Sequence, residues 1–116
     1  MAARNLLKYR EFVDTRILSD YLETARRIQE GFRITGSQLE VLLYVGNENC
    51  DGDISERDIR RSLNMSKSTT SVGISGLAEK GLAVKTRRAT FSKVYVSLTV
   101  KGKGVYDAIK CGIPST

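Results

Sequence analysis

The sequence predicts a mainly α fold of the α+β class, with helices leading and a two-stranded β-hairpin near the end. Three observations carry that reading. Apolar residues recur at helical spacing through most of the chain before Gly81. From Leu82 the period switches to two. Two helix-capping signals, at Ser55 and Ser66, stand so close together that only a tight turn fits between their helices. Helix, short turn, helix, then hairpin is the order of a winged helix-turn-helix. The 116 residues suit a single domain spanning 1–116, with no room for a second core.

Residues 4–32 read as one long helix. Leu6, Tyr9, Val13, Ile17, Tyr21 and Ile28 form an apolar stripe that Leu7, Leu18, Leu22 and Ala25 widen, and no Gly or Pro intervenes before Gly31. At 1.5 Å per residue such a rod is roughly 40 Å long, more than so small a domain is wide. Part of its apolar surface is therefore expected to bury against a second copy, making a homodimer through the N-terminal helix.

The winged helix-turn-helix occupies 34–99. Thr35-Gly-Ser-Gln38 is a capping box, stapled by Ile34 and Leu39, and opens a helix whose buried face is Leu39, Leu42 and Leu43 and whose end is expected at Gly46-Asn47. Asn49 to Asp53 is a turn-rich loop. Ser55 caps the next helix with Asp58 answering and Ile54 and Ile59 as staple; Ile59 and Leu63 point inward, and Asn64 suits the left-handed residue that closes it. Ser66 caps a further helix with Thr70, Ile74 and Leu77 as its inward stripe and Gly81 as its terminator. In the hairpin, Leu82, Val84, Val94, Val96 and Leu98 are expected on one apolar face, opposite Lys85, Arg87, Lys93 and Tyr95, with the turn at Ala89 to Ser92. Thr99 caps a short last helix, 100–110, and the end beyond Gly112 is expected to fray.

Composition narrows the chemistry. There is no histidine, and the two cysteines, Cys50 and Cys111, are far apart with no Cys-x-x-Cys, so neither the usual metal sites nor histidine-dependent catalysis is expected. Asp51 and Asp53 resemble a fragment of a calcium loop without its closing Glu. No glycine-rich phosphate loop or paired acids suggest an enzyme, and no cofactor is expected. No apolar run approaches the ~18 residues that span a bilayer, and the N-terminus lacks a secretory signal pattern, which makes the cytoplasm the expected location and thiols the expected state of both cysteines.

Charge then points to a partner. The net +6 divides into +2 over residues 1–33, −5 over 34–58 and +9 over 59–116. A chain whose positive charge is gathered in its second half presents a directed field suited to a polyanion. The capped segment Ser66, Lys67, Ser68, Thr69, Ser71, Val72 and Ser75 supplies small hydroxyls, one cation and one outward apolar residue, at a helix N-terminus whose free N–H groups favour anions. Lys85, Arg87, Arg88 and Lys93 cluster at the hairpin tip, where a wing reaches flanking phosphates or a minor groove. These eleven residues are the candidate surface for double-stranded DNA.

The segments I-T-G-S-Q-L-E-V-L, I-S-E-R-D-I-R-R-S-L-N-M-S-K-S-T-T-S, L-A-E-K-G-L and V-S-L-T-V-K-G, spread over residues 34–104, resemble the MarR family of winged-helix regulators. That resemblance implies a homodimeric, sequence-specific transcription regulator, with Ser66 to Val72 in the major groove of a pseudo-palindromic site and Arg87, Arg88 and Lys93 on the wing. The sequence departs from the family at several points. The wing tip Arg-Arg-Ala-Thr-Phe-Ser-Lys lacks the usual Asp-x-Arg pattern. Val72 stands where a basic residue is usual, Gly73 stands at an inward apolar site, and the long C-terminal dimerisation helices are missing. The family's ligand pocket for a small molecule lies between its dimerisation and DNA-binding parts. A winged-helix module docking an acidic protein, or an architectural nucleic-acid binder without sequence preference, is the alternative reading.

Overall fold

A computed structural model of the chain describes residues 14–48, 54–88 and 93–112. Among the described residues five helices, α1 (Thr15–Phe32), α2 (Gly36–Glu48), α3 (Glu56–Leu63), α4 (Lys67–Glu79) and α5 (Val100–Gly112), surround a small antiparallel sheet of β1 (Ile54–Ser55), β2 (Ala83–Arg88) and β3 (Lys93–Leu98) in the order β1-β3-β2. The architecture is the mainly helical winged helix-turn-helix. The expected loop at Asn49 to Asp53, the hairpin turn at Ala89 to Ser92, Cys50 and the tail after Gly112 lie outside the described residues.

Local hydrogen bonds set the helix ends where the sequence placed their signals. Thr35 Oγ1 accepts from the Gln38 amide at 3.2 Å, and Gln38 Oε1 accepts from the Thr35 amide at 3.1 Å. Ser55 and Asp58 make the same reciprocal pair, at 3.1 and 3.2 Å. Ser66 Oγ accepts from the Thr69 amide at 3.0 Å. Each bond satisfies a donor the helix leaves unpaired. Asn64 closes α3 at φ 53, with Met65 N–H donating to Arg60 C=O and Asn64 N–H to Arg61 C=O. Gly81, at φ 74, closes α4 through Leu82 N–H to Leu77 C=O and Gly81 N–H to Ala78 C=O. Both are paired end bonds about a left-handed residue.

Four features differ from expectation. Of the helix expected over 4–32, residues 4–13 lie outside the described ones, and a helix starts anew at Thr15: at Asp14 the backbone is extended (φ −88, ψ 117), and its side chain accepts from Arg16 N–H at 2.8 Å and Ile17 N–H at 3.4 Å, capping α1. The apolar period runs on across that position, so it hid the cap. Second, α2 passes Gly46 and ends at Glu48, and α5 reaches Gly112 rather than 110. Gly46 leaves room for the Tyr106 ring, which a Cβ there would meet at 2.3 Å, while the Tyr106 hydroxyl bonds Asn47 Oδ1. Third, the wing is joined by β1, making three strands, with Ile54 opposite Val96 and Ser55 opposite Tyr95. Fourth, the parity of β2 is reversed. Ala83 is buried and Val84 is 45% exposed, and the register sets Lys85 opposite Val96 and Arg87 opposite Val94. Residues opposite one another share a face, so Lys85 and Arg87 lie on the face that carries Val96, not opposite it. Leu82 is excluded from the strand because its amide closes α4, which shifts the count by one.

The core joins all these pieces. Val41 and Leu42 of α2, Ile59 of α3, Ile74 and Leu77 of α4 and Val96 of β3 are fully buried. Each such side chain contributes about 1.5–3 kcal/mol by leaving water. The expected inward residues Leu43 and Leu63 are only half-buried, whereas Gln38, Val41 and Val45 are buried as well. Buried Gln38 is satisfied: its Oε1 also accepts from Lys80 Nζ at 2.7 Å, and Lys80 further donates to Arg33 C=O at the end of α1. Helix α1 buries no residue outright; Ala25 and Ile28 pack on the core from the side. Among the described residues no helix is long and apolar enough to cross a membrane.

Candidate nucleic-acid interface

The turn between α3 and α4 holds the start of α4 at the surface. Thr70, Gly73, Ile74 and Leu77 face inward, and α2 receives them: a Cβ on Gly73 would lie 3.6 Å from Ser37 and Val41. Packing on that face leaves Lys67, Ser68, Thr69, Ser71 and Val72 exposed on the other, Val72 at 68%. Ser75, taken with them from the sequence, is half-buried instead.

The hydroxyls divide into two groups. Ser66 Oγ donates to Thr69 Oγ1 at 2.9 Å while it accepts the Thr69 amide. Buried Thr70 donates to Ser66 C=O at 2.8 Å. Capping thus engages Ser66, and Thr69 keeps its own proton as a donor toward solvent. Ser68 and Ser71 stand exposed beside Val72. An α helix presenting short donors around one apolar side chain can approach base edges and phosphates closely.

The wing adds charge next to this helix. Lys85 lies on the sheet face that carries Val96, and its Nζ donates to Ser75 Oγ at 3.0 Å. The reversed parity of β2 makes this contact possible, since the expected register would have turned Lys85 away. Arg87 and Lys93 are exposed, and Arg88 and Lys93 form the last described pair of the β2–β3 ladder. The fold therefore places the predicted residues on α4 and the adjoining wing, joined by the Lys85–Ser75 bond, but with Lys85 and Arg87 on one face of the sheet and Lys93 on the other. Sequence reasoning gave no part to Arg57 and Arg60, which α3 brings beside Lys67. Their signal in the sequence is a basic i, i+3 pair in a capped helix, diluted by the acidic excess of residues 34–58.

No protein family's sequence profile matches the chain, and no curated protein sequence resembles it significantly. Solved structures do. The chain is similar to Staphylococcus aureus MepR in a complex with DNA, at 25% identity over 84% of this chain and 79% of that one, TM-score 0.69. MepR has also been solved by itself as a transcription regulator of the multidrug efflux pump MepA, again at 25% identity and TM-score 0.68, over 84% of this chain and 71% of that one. The multiple antibiotic-resistance repressor MarR from Listeria monocytogenes matches over 95% of this chain and 71% of its own, at 21% identity and TM-score 0.70.

Proposed function

We propose that this chain, whose fold is that of the MarR-family winged-helix regulators, binds double-stranded DNA as a homodimer and regulates transcription by occupying its sites. The observation that carries the proposal is the junction of an exposed, hydroxyl-rich helix start with a basic wing, on a fold similar to one solved with DNA. In this reading Ser68, Thr69, Ser71 and Val72 meet base edges and phosphates in the major groove, with Lys67 on the backbone. Lys85, Arg87, Arg88 and Lys93 hold flanking phosphates or the minor groove. Ser66 acts through the cap, and Ser75 through Lys85.

The dimer rests on α1. Ile17 and Tyr21 are 68% and 65% exposed, and Leu18 and Leu22 beside them are 37% and 54% exposed. Four large apolar side chains on one stretch of helix favour burial against the same stretch of a second copy. A two-fold dimer of this kind calls for half-sites about 34–36 Å apart.

Selection of duplexes from a random library by the purified protein tests both parts. An enriched inverted repeat with half-sites one helical turn apart is the expected result. Binding without enrichment would leave an architectural role, and absence of binding would leave protein docking.

A further inference from the structure

Between the first turns of α3 and the start of α4 lies an open recess of about 210 Å³ lined by Glu56, Arg57, Arg60 and Lys67. Arg57 and Arg60 fall three apart on one face of α3, and Glu56 precedes Arg60 by one helical turn. Arg57 and Lys67 are exposed, while Glu56 and Arg60 are half-buried. None of the three cations has an ion-pair partner among the described residues. With one carboxylate against three cations, the recess keeps a net charge of +2.

We infer that this recess seats backbone phosphates of the duplex that α4 reads, so that Arg57 and Arg60 are binding residues alongside Lys67. The inference rests on the DNA-binding reading above and adds to it a second anchoring point, separate from the wing. The ligand class follows from the lining. All four residues are charged and three are cations, which favours an anion as the occupant. Guanidinium groups match phosphate oxygens in bidentate geometry and stay charged at any ordinary pH. The position agrees, because the first helix of a helix-turn-helix crosses the sugar–phosphate backbone while the second lies in the groove. The recess also answers a deficit in α4, in which Lys67 is the sole basic residue. Charge that the groove-facing helix lacks is supplied one helix earlier. Glu56 works against the anion, and its carboxylate limits how tightly the recess holds one.

The experiment is a fluorescence-anisotropy titration of the full chain with a labelled duplex of arbitrary sequence, since phosphate contacts do not depend on sequence. At about 50 mM salt the R57Q/R60Q variant is expected to bind about tenfold more weakly or worse, and its log–log salt slope to be shallower by about 2. E56Q is expected to bind more tightly than the wild type, an effect that damage to the fold cannot mimic. K103Q/K110Q removes the same charge from exposed positions of α5 and is expected to change little. Equal losses in both double variants, or no change in R57Q/R60Q together with no gain in E56Q, would overturn the inference while leaving wild-type binding in place. A wild type that binds no duplex overturns the inference and the DNA-binding reading together.

Discussion

The 3.0 Å bond from Lys85 Nζ to Ser75 Oγ fixes where the wing's charge stands relative to α4. Lys85→Met keeps the aliphatic stem and removes both the charge and the bond. It is expected to weaken duplex binding uniformly across sequences and to reduce the salt slope by about 1, read by the same anisotropy titration. Gly102 is a second residue with a specific demand. A Cβ there would sit 1.9 Å from the carbonyl oxygen of Leu82, which itself accepts the Thr99 amide at 3.1 Å. Backbone cannot move aside as a flexible side chain can, so Gly102→Ala is expected to cost about 1–3 kcal/mol or more in urea unfolding. Thr99 reinforces the same corner by donating to Gly81 C=O at 2.6 Å and accepting the Gly102 amide at 2.9 Å.

Helices and strands differed in how far their residues announced them. The caps at Thr35, Ser55 and Ser66 were legible because each needs only residues within one turn, and the structure makes all three. Ser66→Ala is accordingly expected to destabilise α4 by about 1 kcal/mol in thermal or denaturant unfolding, with a matching loss of DNA affinity if the helix start frays. Asp14 was equally local, but Val13 and Ile17 carry the apolar period across it, and periodicity outweighed the cap. Strand β1 was not legible, since two residues carry no period and its partner Val96 lies far along the chain. The face of β2 depended on where counting began. Leu82 looks like a strand residue and is in fact the end of the α4 cap, so Lys85 and Arg87 changed sides. Arg57 and Arg60 gained their setting only when α3 and α4 were folded against each other. The exposure of the α4 start was thus readable from capping and period, while the contacts of α3, α4 and the wing depended on tertiary register.

At the scale of the whole molecule, two surfaces have no intramolecular partner among the described residues. One is the outer face of α1, and the other is the basic face formed by α3, the start of α4 and the wing. Lys80 links the elements that bear them, bonding both Gln38 of α2 and the C-terminal carbonyl of α1 from the end of α4. Replacement of the pair Tyr21 and Leu22 by Glu is expected to leave a folded monomer in sedimentation, because both side chains are more than half exposed, at 65% and 54%. If the dimer spans two half-sites, that variant also loses the cooperative part of its DNA affinity. An unchanged dimer would place the self-association surface elsewhere.

The central claim is that a directed basic face binds duplex DNA largely through phosphates. Its most direct measurement is the wild-type affinity for one duplex between about 50 and 200 mM salt. With contacts from α3, α4 and the wing together, affinity is expected to fall by a factor on the order of 10³ across that range, linearly in log–log form. A flat response, or no binding at the lower salt, would contradict the account.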